Sequence, residues 1–251
     1  MEKALCEGRQ KKELDLEAAA RLGDKVFWLG SHGNNKDGKS VPDRRVLFAT
    51  TITEASGEFH ISPAGRPYRY LVEDFTEDPR LQAFHLGEAA ANGRAPKDPG
   101  GFNMEGICAT PDGHLLIGFR NPIPHGRALL VPLLNPEAII HGERARLGNP
   151  IQLDLQGRGV RDLILMGNAY FIIAGDYRGG KTAGAVTSQI YQWGGSFAQP
   201  RLLVDLPQMN PEALIAYPDA GNKELQVLSD DGQKPPLPPD QRTFRSLKID
   251  L

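Results

Sequence analysis

Cysteine is nearly missing from this chain. Cys6 and Cys108 are the two present, too few and too far apart for a disulfide framework or a zinc-ligand spacing. We read Cys108 as a small buried hydrophobe and Cys6 as incidental. An excess of one charge is missing too. The net charge is -2 and the pI about 6.3, which leaves no electrostatic footprint for nucleic acid or an anionic membrane. We therefore expect neither as a partner. No apolar run approaches the ~18 residues of a membrane span. The first residues, MEKALCEGRQKKELDLE, lack the apolar core of a secretory signal. The default expectation is a cytoplasmic protein, with export left open if the natural N-terminus lies further upstream. Neither a Gly-x-Ser-x-Gly elbow nor a His-Glu-x-x-His zinc helix occurs.

What is abundant is punctuation. The chain has 28 glycines and 20 prolines in 251 residues, both above average usage. Such density favours many short strands joined by turns over long helices. One all-β unit of this length is ordinary.

The best-formed stretch is GFNMEGICATPDGHLLIGFR, Gly101 to Arg120. Ile107-Cys108-Ala109 is a short apolar run. Pro111-Asp112-Gly113 makes a tight turn, with Gly supplying the positive φ that a hairpin needs. Leu115-Leu116-Ile117 returns the chain and ends at Gly118-Phe119-Arg120. A hairpin places its two ends side by side, so Glu105 and Arg120 should meet at one edge of a sheet.

This unit recurs. DLEAAARLGDKVFWLGSH carries Glu17 and His32, VRDLILMGNAYFIIAGD carries Asp162 and Asp176, and NPEALIAYPDAGNKELQVLSDD carries Glu212 and Asp230. Each is an acid, an apolar strand, a turn, and a stronger strand that breaks into a polar loop. The copies start about 50 to 90 residues apart, and the later spacings approach those of propeller blades. A blade is a four-stranded sheet set radially around a channel, so two more strands should follow each copy. Residues 45–52 and 68–72 serve the first, 128–133 and 151–155 the second, 188–193 and 201–206 the third. Only 243–251 remains for the fourth.

The expected fold is therefore all-β, a β-propeller with about four visible blades and one inserted short helix. That helix runs from an Asp78 N-cap through Pro79 to a Gly93 stop. Residues 1–12 form an N-terminal extension and 13–251 a single domain. Four blades are few for closure, and we expect N-terminal blades to be missing.

Glu17, Glu105, Asp162 and Glu212 share one repeat position. Facing a common channel mouth, they would repel unless a cation neutralised them, and hard oxygen donors suit Ca²⁺ or Mg²⁺. We weigh an architectural role above this one: a carboxylate starting an inner strand can accept backbone N–H groups of the next blade. The second repeat position varies among His32, Arg120, Asp176 and Asp230 or Asp231, which suggests a ligand-facing rim. His32 is the candidate acid or base. Arg45, Arg120 and Arg178 are candidates to hold a carboxylate or phosphate.

Gly175 to Thr182, GDYRGGKT, matches the phosphate-loop pattern G-x-x-x-x-G-K-[ST]. That mechanism needs a helix straight after Lys181. The following residues, with their β-branched and aromatic content, read as a strand, so nucleotide binding at 175–182 is the least favoured alternative.

DLEAAA with GSHGNNKDGK, FNMEGICATPDGHLLIGFRNP with ALLVPL, GDYRGG, and NPEALIAYPD with LSDDG together resemble the bacterial domain-of-unknown-function family 3616. The resemblance runs from Glu13 to Leu251. It implies a propeller-like fold, distantly similar to phytase-like and esterase-like propellers, with more chain before Glu13, and it carries no established activity. Where the family pattern has Glu-Gly, this chain has Glu17-Ala18 and Glu212-Ala213. Two readings follow. The first is a propeller that binds a small-molecule or protein ligand at a polar channel mouth. The alternative is a metal-assisted hydrolase of phosphate or carboxylic esters, with Glu105 and Glu212 ligating metal, Arg120 holding the anion and His32 transferring protons.

Overall fold

The computed structural model describes residues 13–179, 184, 186–195, 198–217, 224–230 and 243–251. Fifteen strands among them form four separate antiparallel sheets, arranged as the blades of a β-propeller. Blade 1 holds β1 (Leu16–Leu22), β2 (Lys25–Gly30), β3 (Leu47–Ala55) and β4 (Glu58–Tyr68). Blade 2 holds β5 (Asn103–Ala109), β6 (Leu115–Asn121), β7 (Ala128–Leu133) and β8 (Ile151–Leu153). Blade 3 holds β9 (Gly159–Met166), β10 (Ala169–Gly175), β11 (Ser188–Trp193) and β12 (Arg201–Leu206). Blade 4 shows β13 (Pro211–Ala216), β14 (Glu224–Ser229) and β15 (Arg245–Asp250) among the described residues. Strands follow one another in sheet order, and the first strand of each blade packs against the first strand of the next.

Alternation explains why the blades stack. In β5 and β6, Ile107, Leu115, Ile117 and Phe119 face blade 1, while Cys108 and Leu116 face blade 3. Each blade thus offers one apolar face to each neighbour, and two cores form, one on either side of blade 2. A third core lies between blades 3 and 4, around Phe171, Ile173, Ile190, Leu225 and Val227. Burying each such side chain contributes about 1.5–3 kcal/mol. Gly106 and Gly118 are needed where blade 3 comes closest: a Cβ on either would collide with Val160, and on Gly106 with Leu163 as well.

Blade 1 differs from expectation at its outer edge. Its fourth strand is Glu58–Tyr68, not 68–72. It is joined to β3 by a two-residue turn, Ser56-Gly57, with φ of 56° and 80°. That geometry matches the twist of the flanking strands. Residues Leu71–Glu77 instead form helix α1, which buries Leu71, Val72, Asp74 and Phe75. The Phe75 ring lies 5.5 Å from that of Phe119, across the insert's contact with blade 2. The single helix expected from Asp78 to Gly93 is likewise corrected. Asp78 ends α1 in extended conformation and accepts from Arg80 N at 2.9 Å. A 3-10 turn at Gln82–Phe84 and a one-turn helix α2 (Leu86–Ala89) follow, separated by His85 at φ 52°. A non-glycine residue in the left-handed region breaks any continuous helix there. No helix among the described residues is long and apolar enough to cross a membrane.

Candidate functional site

The inner strands share a defect, and it builds the site. In β1, Leu16 pairs with Gly30 and Ala18 with Leu29, leaving Glu17 as an extra residue. In β5, Met104 pairs with Phe119 and Gly106 with Gly118, leaving Glu105. In β9, Val160 pairs with Ala174 and Asp162 with Ile173, leaving Arg161. In β13, Pro211 pairs with Ser229 and Ala213 with Leu228, leaving Glu212. A bulge frees one side chain from the alternation of its strand and re-aims it. All four extra residues line one cavity of about 970 Å³. Arg120, which the register also skips on β6, joins them.

In the register, Glu17, Glu105 and Glu212 occupy equivalent positions in blades 1, 2 and 4, and in blade 3 the equivalent position is one residue before Asp162. Arg161, not Asp162, is the counterpart of Glu17, Glu105 and Glu212. Asp162 faces away from the cavity. Its Oδ2 accepts from Leu214 N in blade 4 at 2.7 Å and its Oδ1 from its neighbour Leu163 N at 2.8 Å. That is the blade-locking role weighed for all four acids, and Asp162 performs it. Burial pushes its pKa up to about 7, Glu105 and Glu212 add to the rise, and the two N–H donors hold it down.

The cavity wall is a run of alternating charge. Arg120 Nη1 donates to Glu105 Oε1, as the hairpin geometry requires, and Arg161 Nη2 donates to Glu212 Oε1. Arg161 Nε also lies 3.7 Å from Glu105 Oε2. Asn103 and Asn210 brace the carboxylates, donating to Glu105 Oε1 at 2.8 Å and Glu212 Oε1 at 3.0 Å. Glu105, Arg120 and Arg161 are buried. Burial opposes the charged form of Arg161, yet Glu105 and Glu212 together hold its pKa above the ordinary range. Burial raises that of Glu212 although Arg161 opposes the rise. Glu17 is pushed furthest, to about 8, first by burial and then by Glu105, Asp15 and Glu212.

The rim comes from three loops. Residues 34–37 and 95–98 contribute Asn34, Asn35, Lys36, Asp37, Lys97 and Asp98, and Asp230 follows β14. The 95–98 loop is fixed from below: Asn121 Nδ2 donates to Pro96 O and Asp98 O, each at 2.8 Å. Asn34 Nδ2 holds Ala91 O at 2.7 Å and Arg94 O at 2.9 Å.

The other candidates lie elsewhere. His32 is fully buried, outside the cavity lining, with a φ of 56°. Its Nδ1–H donates to Gly30 O at 2.8 Å, and burial, with Arg45 and Arg69 nearby, lowers its pKa to about 4. It is a neutral histidine at the foot of a turn. Arg45 ties blade 1 to the helical insert through Ala90 O at 2.8 Å. Asp176 receives Arg178 through both carboxylate oxygens, at 3.0 and 2.7 Å, and caps Arg178 N and Val186 N. Burial would raise its pKa, but these donors bring it to about 2. Gly179 lies close to the cavity wall: a Cβ on it would sit 3.6 Å from Arg120 Nη2. Residues 180–183, with Lys181 and Thr182 of the phosphate-loop pattern, and Asp231 lie outside the described residues. The next described element, β11, is a strand where a phosphate loop requires a helix.

The donor set does not suit Ca²⁺ or Mg²⁺. Two guanidinium groups already stand between the carboxylates, and among the described residues no group of three or more His, Cys, Asp or Glu is arranged to hold a metal ion. Sequence reasoning missed Arg161, Asn103 and Lys97.

A family described as "Protein of unknown function (DUF3616)" matches residues 64–224. None of the curated proteins compared matches the chain.

Proposed function

The chain belongs to the DUF3616 family of proteins of unknown function, and from that premise we propose that it is a binding propeller holding a small polar ligand in the cavity at its channel mouth. One observation carries this reading: every blade aims a bulged, charged side chain into the same cavity. Bulges of this kind recur beside binding sites, and a volume of about 970 Å³ lies at the upper end of the range for small-molecule pockets. The charged wall is braced by asparagines, which favours a pre-organised site. The metal-assisted ester hydrolase draws less support, because arginines supply the positive charge that a metal would bring and His32 stands apart.

The test is a thermal-shift screen of the whole chain against sugars, amino acids, carboxylates and amines, with hits confirmed by calorimetry. We expect at least one class to raise Tm, with the effect lost in Glu212→Gln. A panel without a hit overturns the reading. A rise in Tm with millimolar Ca²⁺ or Mg²⁺, abolished in Glu105→Gln, would shift support to the hydrolase.

A further inference from the structure

We infer that the ligand of this cavity carries a primary ammonium group and that Glu17 receives it. The inference rests on the ligand-site reading above and adds the ligand's chemistry.

Charge pairing is the first ground. Glu105 and Glu212 each have a guanidinium partner, from Arg120 and Arg161. Among the described residues no hydrogen bond or ion pair reaches the Glu17 carboxylate. The inner wall thus holds three carboxyl groups and two fixed cations, so an ionised Glu17 has no partner. The cavity as a whole leans the same way: among the described residues seven acidic and five basic side chains line it.

The second ground is independent of charge. Beside the Nε–H donors of Arg120 and Arg161, which also lack a hydrogen-bond partner, and with Asn34 Oδ1 at the rim, two oxygens of the inner wall have none: Glu105 Oε2, 3.7 Å from Arg161 Nε, and Asn103 Oδ1. Their residues are 3% and 6% exposed. Buried acceptors without donors are costly, so this wall favours a guest that brings donors. A neutral polyol brings donors but no positive charge that would let Glu17 ionise. An anion would meet the Nε–H donors of Arg120 and Arg161 but would leave these acceptors and Glu17 unmatched. An ammonium group brings a charge and three donors with no acceptor.

The state of Glu17 fits this role. Asp15 beside it, Glu105 on blade 2 and Glu212 on blade 4 disfavour its ionised form, while Arg120 and the more distant Arg161 favour it. With its pKa near 8, the group is largely a carboxylic acid at pH 7. An arriving ammonium ion forms the ion pair and displaces the carboxyl proton to solvent, so binding at neutral pH releases a proton.

Calorimetry on the whole chain tests this with matched probes: glucosamine against glucose, putrescine against 1,4-butanediol, ethanolamine against ethylene glycol. We expect at least one amine to bind about tenfold or more tightly than its neutral counterpart. We also expect proton release at pH 7, read from the buffer dependence of the enthalpy. Glu17→Gln should bring that amine down to the level of its counterpart and abolish the proton release. Glu17→Asp, which keeps the charge but shortens its reach, should give an intermediate loss and covers the case in which the amide variant does not fold. Neutral counterparts that bind as tightly as the amines, or an amine whose binding and proton release survive both variants, would overturn the assignment of amine and Glu17 while leaving the cavity a ligand site. Absence of binding by every probe overturns the amine assignment alone if the broader screen finds another class, and the ligand site with it if that screen is blank.

Discussion

Glu105 in blade 2 and Asp162 in blade 3 are both buried carboxylates near the start of an inner strand, yet they do opposite jobs. Glu105 sits on a bulge, faces the cavity, and is held by guanidinium groups. Asp162 sits one residue past a bulge, faces the next blade, and is held by backbone N–H groups. The chemistry of a carboxylate here is decided by its place relative to the register slip. Side chains alternate with period two, so a step of one residue exchanges the cavity for the blade interface.

The contrast can be broken in three ways. Arg161→Met removes the cation between Glu105 and Glu212 and leaves buried carboxylates short of a partner. We expect it to lose about 3–5 kcal/mol of stability in urea unfolding, the usual effect of breaking a buried pair from one side. A loss below about 1 kcal/mol would mean that Arg161 is not the counter-charge. Asp162→Ala strips the acceptor from two N–H groups, one of them in blade 4. The expected cost is about 2 kcal/mol, accompanied by faster hydrogen exchange at Leu214 N; unchanged exchange there would remove the blade lock. The effect of Glu17→Gln depends on pH and vanishes in acid. A carboxyl whose folded pKa is raised from 4.5 to about 8 stabilises the fold fully only below its unfolded pKa. That contribution is lost as pH rises toward 8. The amide does not titrate, so the variant should match the wild type near pH 4 and exceed its Tm at pH 9. A constant Tm difference across that range would show that Glu17 is an ordinary exposed carboxyl.

Much of the fold was legible because its signals are local. Pro111-Asp112-Gly113 and the alternating runs around it place β5 and β6, and the same pattern gives the strands of blade 3 nearly to the residue. β4 was missed because its sequence, EFHISPAGRPY, carries two prolines and a glycine and has almost no buried face. A strand whose partner is one neighbour and solvent needs no apolar alternation. The better signal was the Ser56-Gly57 pair between Ala55 and Glu58.

Arg161 was missed for a different reason. Aligning acids with acids put Asp162 in register, whereas the strand is registered by its core. The buried apolar residue two positions after Glu105 is Ile107, and after Glu212 it is Leu214; Leu163 holds that place only if Arg161 is the counterpart. The wall itself was only half legible. Glu105 and Arg120 follow from hairpin geometry, but Lys97 reaches the cavity on a loop whose path is set by Asn121 and Asn34, contacts far apart in sequence, and Asn103 is the first residue of β5.

The repeated bulge has a consequence for how such a protein changes over time. The backbone irregularity does the aiming, so the four bulged positions are interchangeable sockets. A Glu or an Arg can occupy one without altering the strand pairing around it, and blade 3 already shows the substitution. On the binding reading proposed above, the cavity's preference can be rewritten by a few point changes made in compensating pairs, on a scaffold that stays fixed. A small combinatorial library over Glu17, Glu105, Arg161 and Glu212 would sample that repertoire directly.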